Sequence, residues 1–454
     1  MAMRFLVKLL VLLAIVAGAA WFFISRSFAP SIEIRQPDRF VGANGQYEIA
    51  IAAPETELTD LKVTFEQEGQ VTELTPASTT AEGGGVIVRG PLGRAVLRGV
   101  KAGTGKLRVS AARLAYGRVR TTVASAEKDL EVRLQPPRLQ VLSTHHYINQ
   151  GGAEAIVYKV EPAGVTSGVM VGDRLFRGYP ASGAGNLAPG LAADRLSDPT
   201  VHIAFFALDW NQAGETPMFL HAEDEAGNRA RAEFERRVFP KAFHKSNIQL
   251  DESFLQRVVP AIEAETPSLT AQGSLIERYL AINRDLRKTN SEAIAKLAEK
   301  TTNELQWNGA FVPFANGAVQ ASYADQRAYM YQGKEVDQQT HLGFDLASNA
   351  NAPIIAGNRG TVVHAGYLGI YGNCVIIDHG MGLQSLYGHM SSISTSVGQT
   401  VERGAELGRS GITGLAGGDH LHYTMLLQGQ SINPVEWWDQ HWIDDRILRK
   451  LRFQ

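Results

Sequence analysis

From Ser31 to about Pro240 apolar and polar residues alternate in short runs broken by glycine turns. "SIEIRQPDRFVGANGQYEIAI" and later "RLQVLSTHHYINQGGAEAIVYKV" each hold an alternating strand, a loop, a glycine turn (Gly45; Gly151-Gly152) and a second strand. Period-2 alternation bounded by turn residues predicts half-buried β-strands. The spacing of the two stretches is a weak internal repeat of about 105 residues, the size of an immunoglobulin-like sandwich. In "HAEDEAGNRARAEFERRV", Asp224–Asn228 reads as a turn. Beyond it Ala230, Ala232 and Phe234 face one side, and Arg229, Arg231, Glu233 and Glu235 the other. Such modules serve as spacers or binding arms, and no catalytic constellation stands out in them. His145-His146 reads as a loop pair.

Between Asp251 and Glu304 the period changes. Leu275, Ile276, Tyr279, Leu280, Asn283 and Leu286 share one helical face, Asn290-Ser291-Glu292 is a second helix start, and Pro260 and Pro267 break the stretch. The segment is a helical connector or a pro-segment covering a site. Beyond Trp307 strands return. "GTVVHAG", "NCVIIDHG" and "GLQSLYGHM" are separated by glycine turns and predict a tight antiparallel meander. "VGQTVERGAELGRSG" has the spacing of a carrier-type β-roll, but no lysine stands there to carry a group.

The amino terminus breaks every period. Phe5–Ile24 is about 20 residues of nearly unbroken apolar sequence, long enough for a bilayer. Its apolar run continues through Trp21-Phe22-Phe23-Ile24, past the small residues Ala17–Ala20. This favours an uncleaved anchor over a cleaved signal peptide. More positive charge precedes it (Arg4, Lys8) than follows it (Arg26), which puts the remainder outside the cytoplasm. The expected location is therefore the cell membrane, single-pass, with the rest of the chain on the extracytoplasmic (periplasmic) side.

Composition narrows the chemistry. The 454 residues are 44% hydrophobic and 20% charged with a formal net charge of −2, so nothing points to nucleic acid. Cys374 is the only cysteine, which excludes an intrachain disulfide and a thiolate zinc cage. Six of the twelve histidines fall between His341 and His422. "THLGFDLAS" offers His341 and Asp345, "YGHM" offers His389, and "GGDHLHYTM" offers His420 and His422. In a straight strand His341 and Asp345 would stand about 13 Å apart, so one metal joins them only where the chain bends. Gly343 permits that bend. Imidazole and carboxylate ligands without thiolate suit catalytic zinc, with three protein ligands and one open position. No HExxH is present, and the glycines of "GRSGITGLAGGD" lack the G-K-[ST] ending of a phosphate loop.

"HLGFDLA", "IYGNCVIIDHGMGLQSLYGHM", "VGQTVERGAELGRSGITG" and "GGDHLHYTM" followed by "INPVEWW" resemble, in order and spacing, the lysostaphin- and LytM-type zinc endopeptidases. The resemblance covers residues 308–438. It implies one zinc per chain on His341, Asp345 and His422, and catalytic roles for His389 and His420. His364 and His379 match no family position and read as framework. Cys374 departs from a larger residue common in the family and reads as packing.

The expected fold class is mainly β and multidomain. A transmembrane anchor (1–29) precedes two immunoglobulin-like β modules (30–135 and 136–240). A helical connector (241–307), an antiparallel β metallopeptidase domain (308–438) and a tail (439–454) follow. The implied function is zinc-dependent hydrolysis of the peptide cross-links of bacterial cell-wall peptidoglycan, a glycine bridge or a D-alanyl–diaminopimelate link. The alternative is a non-catalytic LytM-like regulator that binds and activates other wall hydrolases. Such relatives lack metal ligands, whereas every position of the set is filled here. The partners implied are peptidoglycan and, through the N-terminal segment, the membrane.

Overall fold

The computed structural model describes residues 12–18, 29–53, 55–115, 120–187, 193–270 and 272–453. It corrects the reading of the amino terminus. Among the described residues no helix is long and apolar enough to cross a membrane. Residues 12–18 are helical and exposed. The remainder of Phe5–Ile24 lies outside the described residues. The transmembrane helix of the expected fold class is withdrawn, and with it the single-pass membrane location.

The chain divides into two compact units. The first runs to Pro137 and adds Glu223–Ala230. A four-stranded sheet orders Ser31–Gln36, Asn44–Ala52, Gly85–Gly93 and Ser78–Glu82. A five-stranded sheet orders Phe40–Val41, Arg120–Val132, Gly103–Ala115, Leu58–Gln67 and Gln70–Leu74. Alternation does what the pattern requires: Tyr47, Ile49 and Ile51 are buried along one strand, and they share a core with Val63, Phe65, Leu107 and Val109 of the other sheet. The "DEAGN" turn closes on itself, because Asp224 Oδ1 accepts from the amides of Ala226 and Asn228. Asn228 Oδ1 then accepts from the Ala43 amide.

The second unit comprises Arg138–Ala222 and Arg231–Gln454. Its first part pairs Ala153–Glu161 with Val201–Ala207, two strands buried along nearly their whole length. A three-stranded sheet of Lys245–Leu250, Asp325–Tyr331 and Lys334–His341 follows in space. Against it pack the helix Glu252–Glu265 and a helical run from Leu275 to Ala298. Ser274 caps that run in a capping box with Glu277. Two local expectations fail for identifiable reasons. Pro260 sits inside the first helix with its ring exposed, and the helix ends only before Pro267. Asn290 is buried mid-helix rather than capping one, because its Oδ1 accepts from the Ile370 amide at 2.9 Å.

The largest sheet has eight strands, in the order Ala318–Ala321, Phe344–Ala347, Leu421–Leu427, Leu383–Met390, Asn373–Asp378, Gly360–Tyr367 and Thr400–Val401, with Gln430–Ile432 also on Leu421–Leu427. The meander of three consecutive strands is its centre. Within this same unit the C-terminal helices sit on the strand Ala153–Glu161. Glu436, buried, accepts from Asn149 Nδ2 and the Ala153 amide, each at 2.8 Å. Lys450 pairs with the buried Glu154. Trp437 packs against Phe205, Trp307 and Trp442.

Candidate metal centre

Sheet register assembles the histidines. Asp345 lies opposite His422, and Gly388 opposite His422 on its other side, so His389 arrives one residue further along. His341 ends its own strand, and Leu342-Gly343 form the bend that brings it back to Asp345. Gly343 is needed for space: a Cβ there would lie 2.6 Å from His422 Cε1 and 2.7 Å from Thr424 Oγ1. His341 Nε2, Asp345 Oδ1 and His422 Nδ1 are then 2.9, 2.9 and 3.0 Å from one another.

The other ring nitrogens decide what these three atoms are. His341 Nδ1–H donates to the Ser322 carbonyl at 3.1 Å, which leaves Nε2 as a lone pair. Thr424 Oγ1 donates to the Leu342 carbonyl and so accepts from His422 Nε2–H at 3.0 Å, leaving His422 Nδ1 as a lone pair. These tautomers are assigned from the partners. Two imidazole lone pairs and a carboxylate oxygen thus converge with no proton between them. A divalent cation fits such a set. Tetrahedral zinc with bonds of about 2.0–2.1 Å would place its ligands about 3.3–3.4 Å apart, within a few tenths of an ångström of this triangle.

His389 and His420 follow the same rule. His389 Nδ1–H donates to Thr413 O and His420 Nδ1–H to Gly418 O, each at 2.7 Å. Their Nε2 atoms keep lone pairs; His420 Nε2 lies 3.4 Å from Asp345 Oδ1. The two rings are 4.8 Å apart. His389 has φ +63°, a left-handed conformation that costs an L-residue about 1–3 kcal/mol. Burial, then His420 and His422, hold His389 well below the ordinary imidazole range. Burial takes His422 down to about 4. At His420 burial also works downward, but the Asp345 carboxylate outweighs it and the group is raised. Burial pushes Asp345 upward, yet His341, His420 and His422 hold it well below the carboxylate range.

One residue of the site belongs to no local motif in the sequence. Arg327 Nη2 donates to Asp345 Oδ2 at 2.9 Å, which leaves Oδ1 to face the histidines. Asp325 Oδ2 holds Arg327 Nε at 3.2 Å, and Asp325 is itself held by His244 and Ser246. Alternation in "ADQRAYMY" puts Asp325 and Arg327 on one face, but only the pairing of Asp325 with His341 aims that face at the site. His364, His379, His146 and His145 stand elsewhere. His364 Nε2 meets Gly366 O at 3.3 Å; His379 and His146 are enclosed in the framework. His145 bonds Thr144 Oγ1. Cys374 is fully buried, and burial pushes its thiol up.

Comparison with known proteins meets this site. Residues 339–434 match Peptidase family M23. A stretch of 95 residues is 40% identical to the DD-carboxypeptidase/endopeptidase Mpg of Neisseria meningitidis, covering 21% of this chain and 22% of that protein. The peptidoglycan DD-endopeptidase ShyA of Vibrio cholerae is 36% identical over 96 residues, again 21% and 22%. ShyC of the same organism, also a peptidoglycan DD-endopeptidase, is 29% identical over 170 residues, 36% of this chain and 39% of that one. The aligned part is thus under a quarter of the length of the first two relatives. His341, Asp345, His389, His420 and His422 fall inside 339–434; Arg327 does not.

Proposed function

We propose that this chain is a zinc-dependent endopeptidase that hydrolyses the peptide cross-links of bacterial peptidoglycan. The observation that carries the reading is the convergence of the His341, Asp345 and His422 lone pairs at 2.9–3.0 Å, with each imidazole's other nitrogen engaged by the protein. The M23 match of residues 339–434 and the peptidoglycan endopeptidases among the relatives support the reaction class. In this reading His341, Asp345 and His422 hold one zinc. Zinc, when bound, polarises the scissile carbonyl and lowers the pKa of water.

The chain's own groups supply the proton handling. His420 Nε2 offers a lone pair beside the Asp345 carboxylate, which favours its charged form, so His420 is the general base and then the donor to the leaving amine. His389 stays neutral with its lone pair on Nε2. It can relay a proton at once but can support an oxyanion only after receiving that proton, and the 4.8 Å ring separation from His420 suits such a relay. Arg327 holds Oδ2 of Asp345 and limits that carboxylate to one oxygen toward the metal. We read the sandwich ending at Pro137 as an immunoglobulin-like arm outside the chemistry. Residues 138–222 are instead read as a support for the peptidase part, because Glu436 and Lys450 are satisfied there. The test is incubation of the purified chain with defined cross-linked muropeptides, followed by mass spectrometry and zinc analysis. Cleavage at a peptide bond with one zinc per chain is expected; intact substrate in the presence of zinc would overturn it.

A further inference from the structure

The cleft over the metal centre, about 910 Å³, is lined by Arg257, Arg287 and Arg327. Two of them have evident duties. Arg327 is neutralised by Asp325 and Asp345. Arg257, at the exposed rim, donates to the carbonyls of Ala416 and Gly417. Arg287 has none. It is half-buried and, among the described residues, makes no ion pair. Its Nε and Nη2 donate to O and Oδ1 of one residue, Asn283, at 3.1 and 2.6 Å.

Asn283 is itself held. Its Nδ2 donates to Asp337 Oδ2 at 2.8 Å, while Asp337 Oδ1 takes Arg284 Nε at 2.9 Å. The Asp337 carboxylate beyond Asn283 is thereby satisfied by another arginine, and a neutral amide fixes the Arg287 guanidinium. A guanidinium carries five N–H groups, and at least three of them remain for a ligand. Partly desolvating a cation without an opposite charge is unfavourable unless an anion arrives with the ligand. The location fits that use. Arg287 lines the cleft together with Tyr279 and Tyr371, and the Tyr371 ring lies 5.4 Å from the His422 ring. The acids of the cleft do not compete: Asp325 and Asp345 are engaged as described, and Asp251 caps a helix by accepting from the Phe254 amide.

We propose that Arg287 is a specificity-determining residue that binds a free carboxylate of the substrate peptide near the bond to be cut. This rests on the endopeptidase reading and sharpens it. The preferred cross-link carries a diamino acid with an unamidated carboxylate, and an uncharged oligoglycine bridge is a poor substrate. Planar bidentate recognition of a carboxylate is what a fixed guanidinium does best. Arg287 lies outside the 339–434 match, so it tunes a shared centre from the helical segment.

Three synthetic cross-linked peptides test this: one with the diamino-acid carboxylate free, one with it amidated, and one bridged by pentaglycine. The full chain is expected to favour the free carboxylate by about 10- to 100-fold in kcat/KM, mostly through KM, as for a hydrogen bond to a charged group. Arg287→Gln should cleave free and amidated peptides alike, at the rate of the wild type on the amidated one. Arg287→Lys should keep part of the preference, and zinc content should be unchanged in both variants. Equal cleavage of free and amidated peptides by the wild type would overturn the proposal without any variant. So would a retained preference in Arg287→Gln, or faster cleavage of pentaglycine. Failure of the zinc-loaded wild type on all three peptides would instead remove the endopeptidase reading, and this inference with it.

Discussion

His379 and His341 are both buried, at 0% and 6% exposure, and so are His146 at 2% and His422 at 6%. Exposure does not separate framework from site. Partners do. His379 engages both ring nitrogens, with Arg359 O and Ser385 Oγ at 2.8 Å each. His146 engages both, with Glu235 O at 3.0 Å and Ser143 Oγ at 2.9 Å. The cleft histidines give one nitrogen to the protein, and His341, His420 and His422 bring the other to the same carboxylate oxygen, Asp345 Oδ1. A buried imidazole with one nitrogen left over is costly unless something else binds it. The difference teaches how to read a histidine: count what remains after its protein partners are satisfied.

The strongest way to break this comparison is to remove a leftover nitrogen or its carboxylate. His341→Ala and Asp345→Ala should each lose the zinc, measured as metal per chain after dialysis. Full retention in both would return those residues to the framework class. Next come the pair kept free of metal. His389→Ala and His420→Ala should keep zinc while turnover falls at least ~10²-fold, as when a positioned acid–base group is removed. Near-normal turnover in either would assign that histidine to structure. A smaller effect is expected at Arg327→Gln, about tenfold in zinc affinity, since outer partners of metal ligands typically contribute 10- to 100-fold. A competition titration with a chelator reads it, and unchanged affinity would make the Arg327–Asp345 bond incidental.

The gentlest test addresses the framework side through pH. Burial takes His146 and His379 down to about 4, below the ordinary value of 6.5. As pH falls through 6.5 the unfolded chain takes up the proton first, so stability declines until about pH 4. Each such imidazole contributes a slope of about 1.4 kcal/mol per pH unit within that window. Glu436 and Asp378, raised by burial to about 7 and about 6, act oppositely, because there the folded chain takes the proton first. The prediction is therefore a difference. His379→Gln should show a shallower acid loss of the urea midpoint between pH 6.5 and 4.5 than the parent chain. Parallel curves would mean that His379 titrates normally.

Much of the candidate site was legible because its spacing is local. H-x-x-x-D and H-x-H each put two groups within a few residues, and the glycine-bounded strands around them form the expected meander. What stayed hidden depends on register between distant segments. Arg327 reaches Asp345 only because Asp325 pairs with His341. Asn290 looked like a cap because its partner, the Ile370 amide, is 80 positions away. Gly343 lies in the bend expected of it, but that His422 fills the space it leaves depends on a strand 79 positions away. At the amino terminus, apolar length suggested a span that the described helix, residues 12–18, does not provide.

The left-handed backbone at His389 sets a direction for sequence drift. The φ of +63° suits glycine, or asparagine, better than histidine. Selection for turnover must therefore hold histidine there against a gain in stability of about 1 kcal/mol or more. A lineage relieved of that selection would lose the imidazole quickly and gain a sturdier fold in exchange. Position 389 is then a better gauge of whether a descendant still does chemistry than His341 or His422, whose loss would leave the Asp345 carboxylate facing Arg327 with fewer partners to satisfy it.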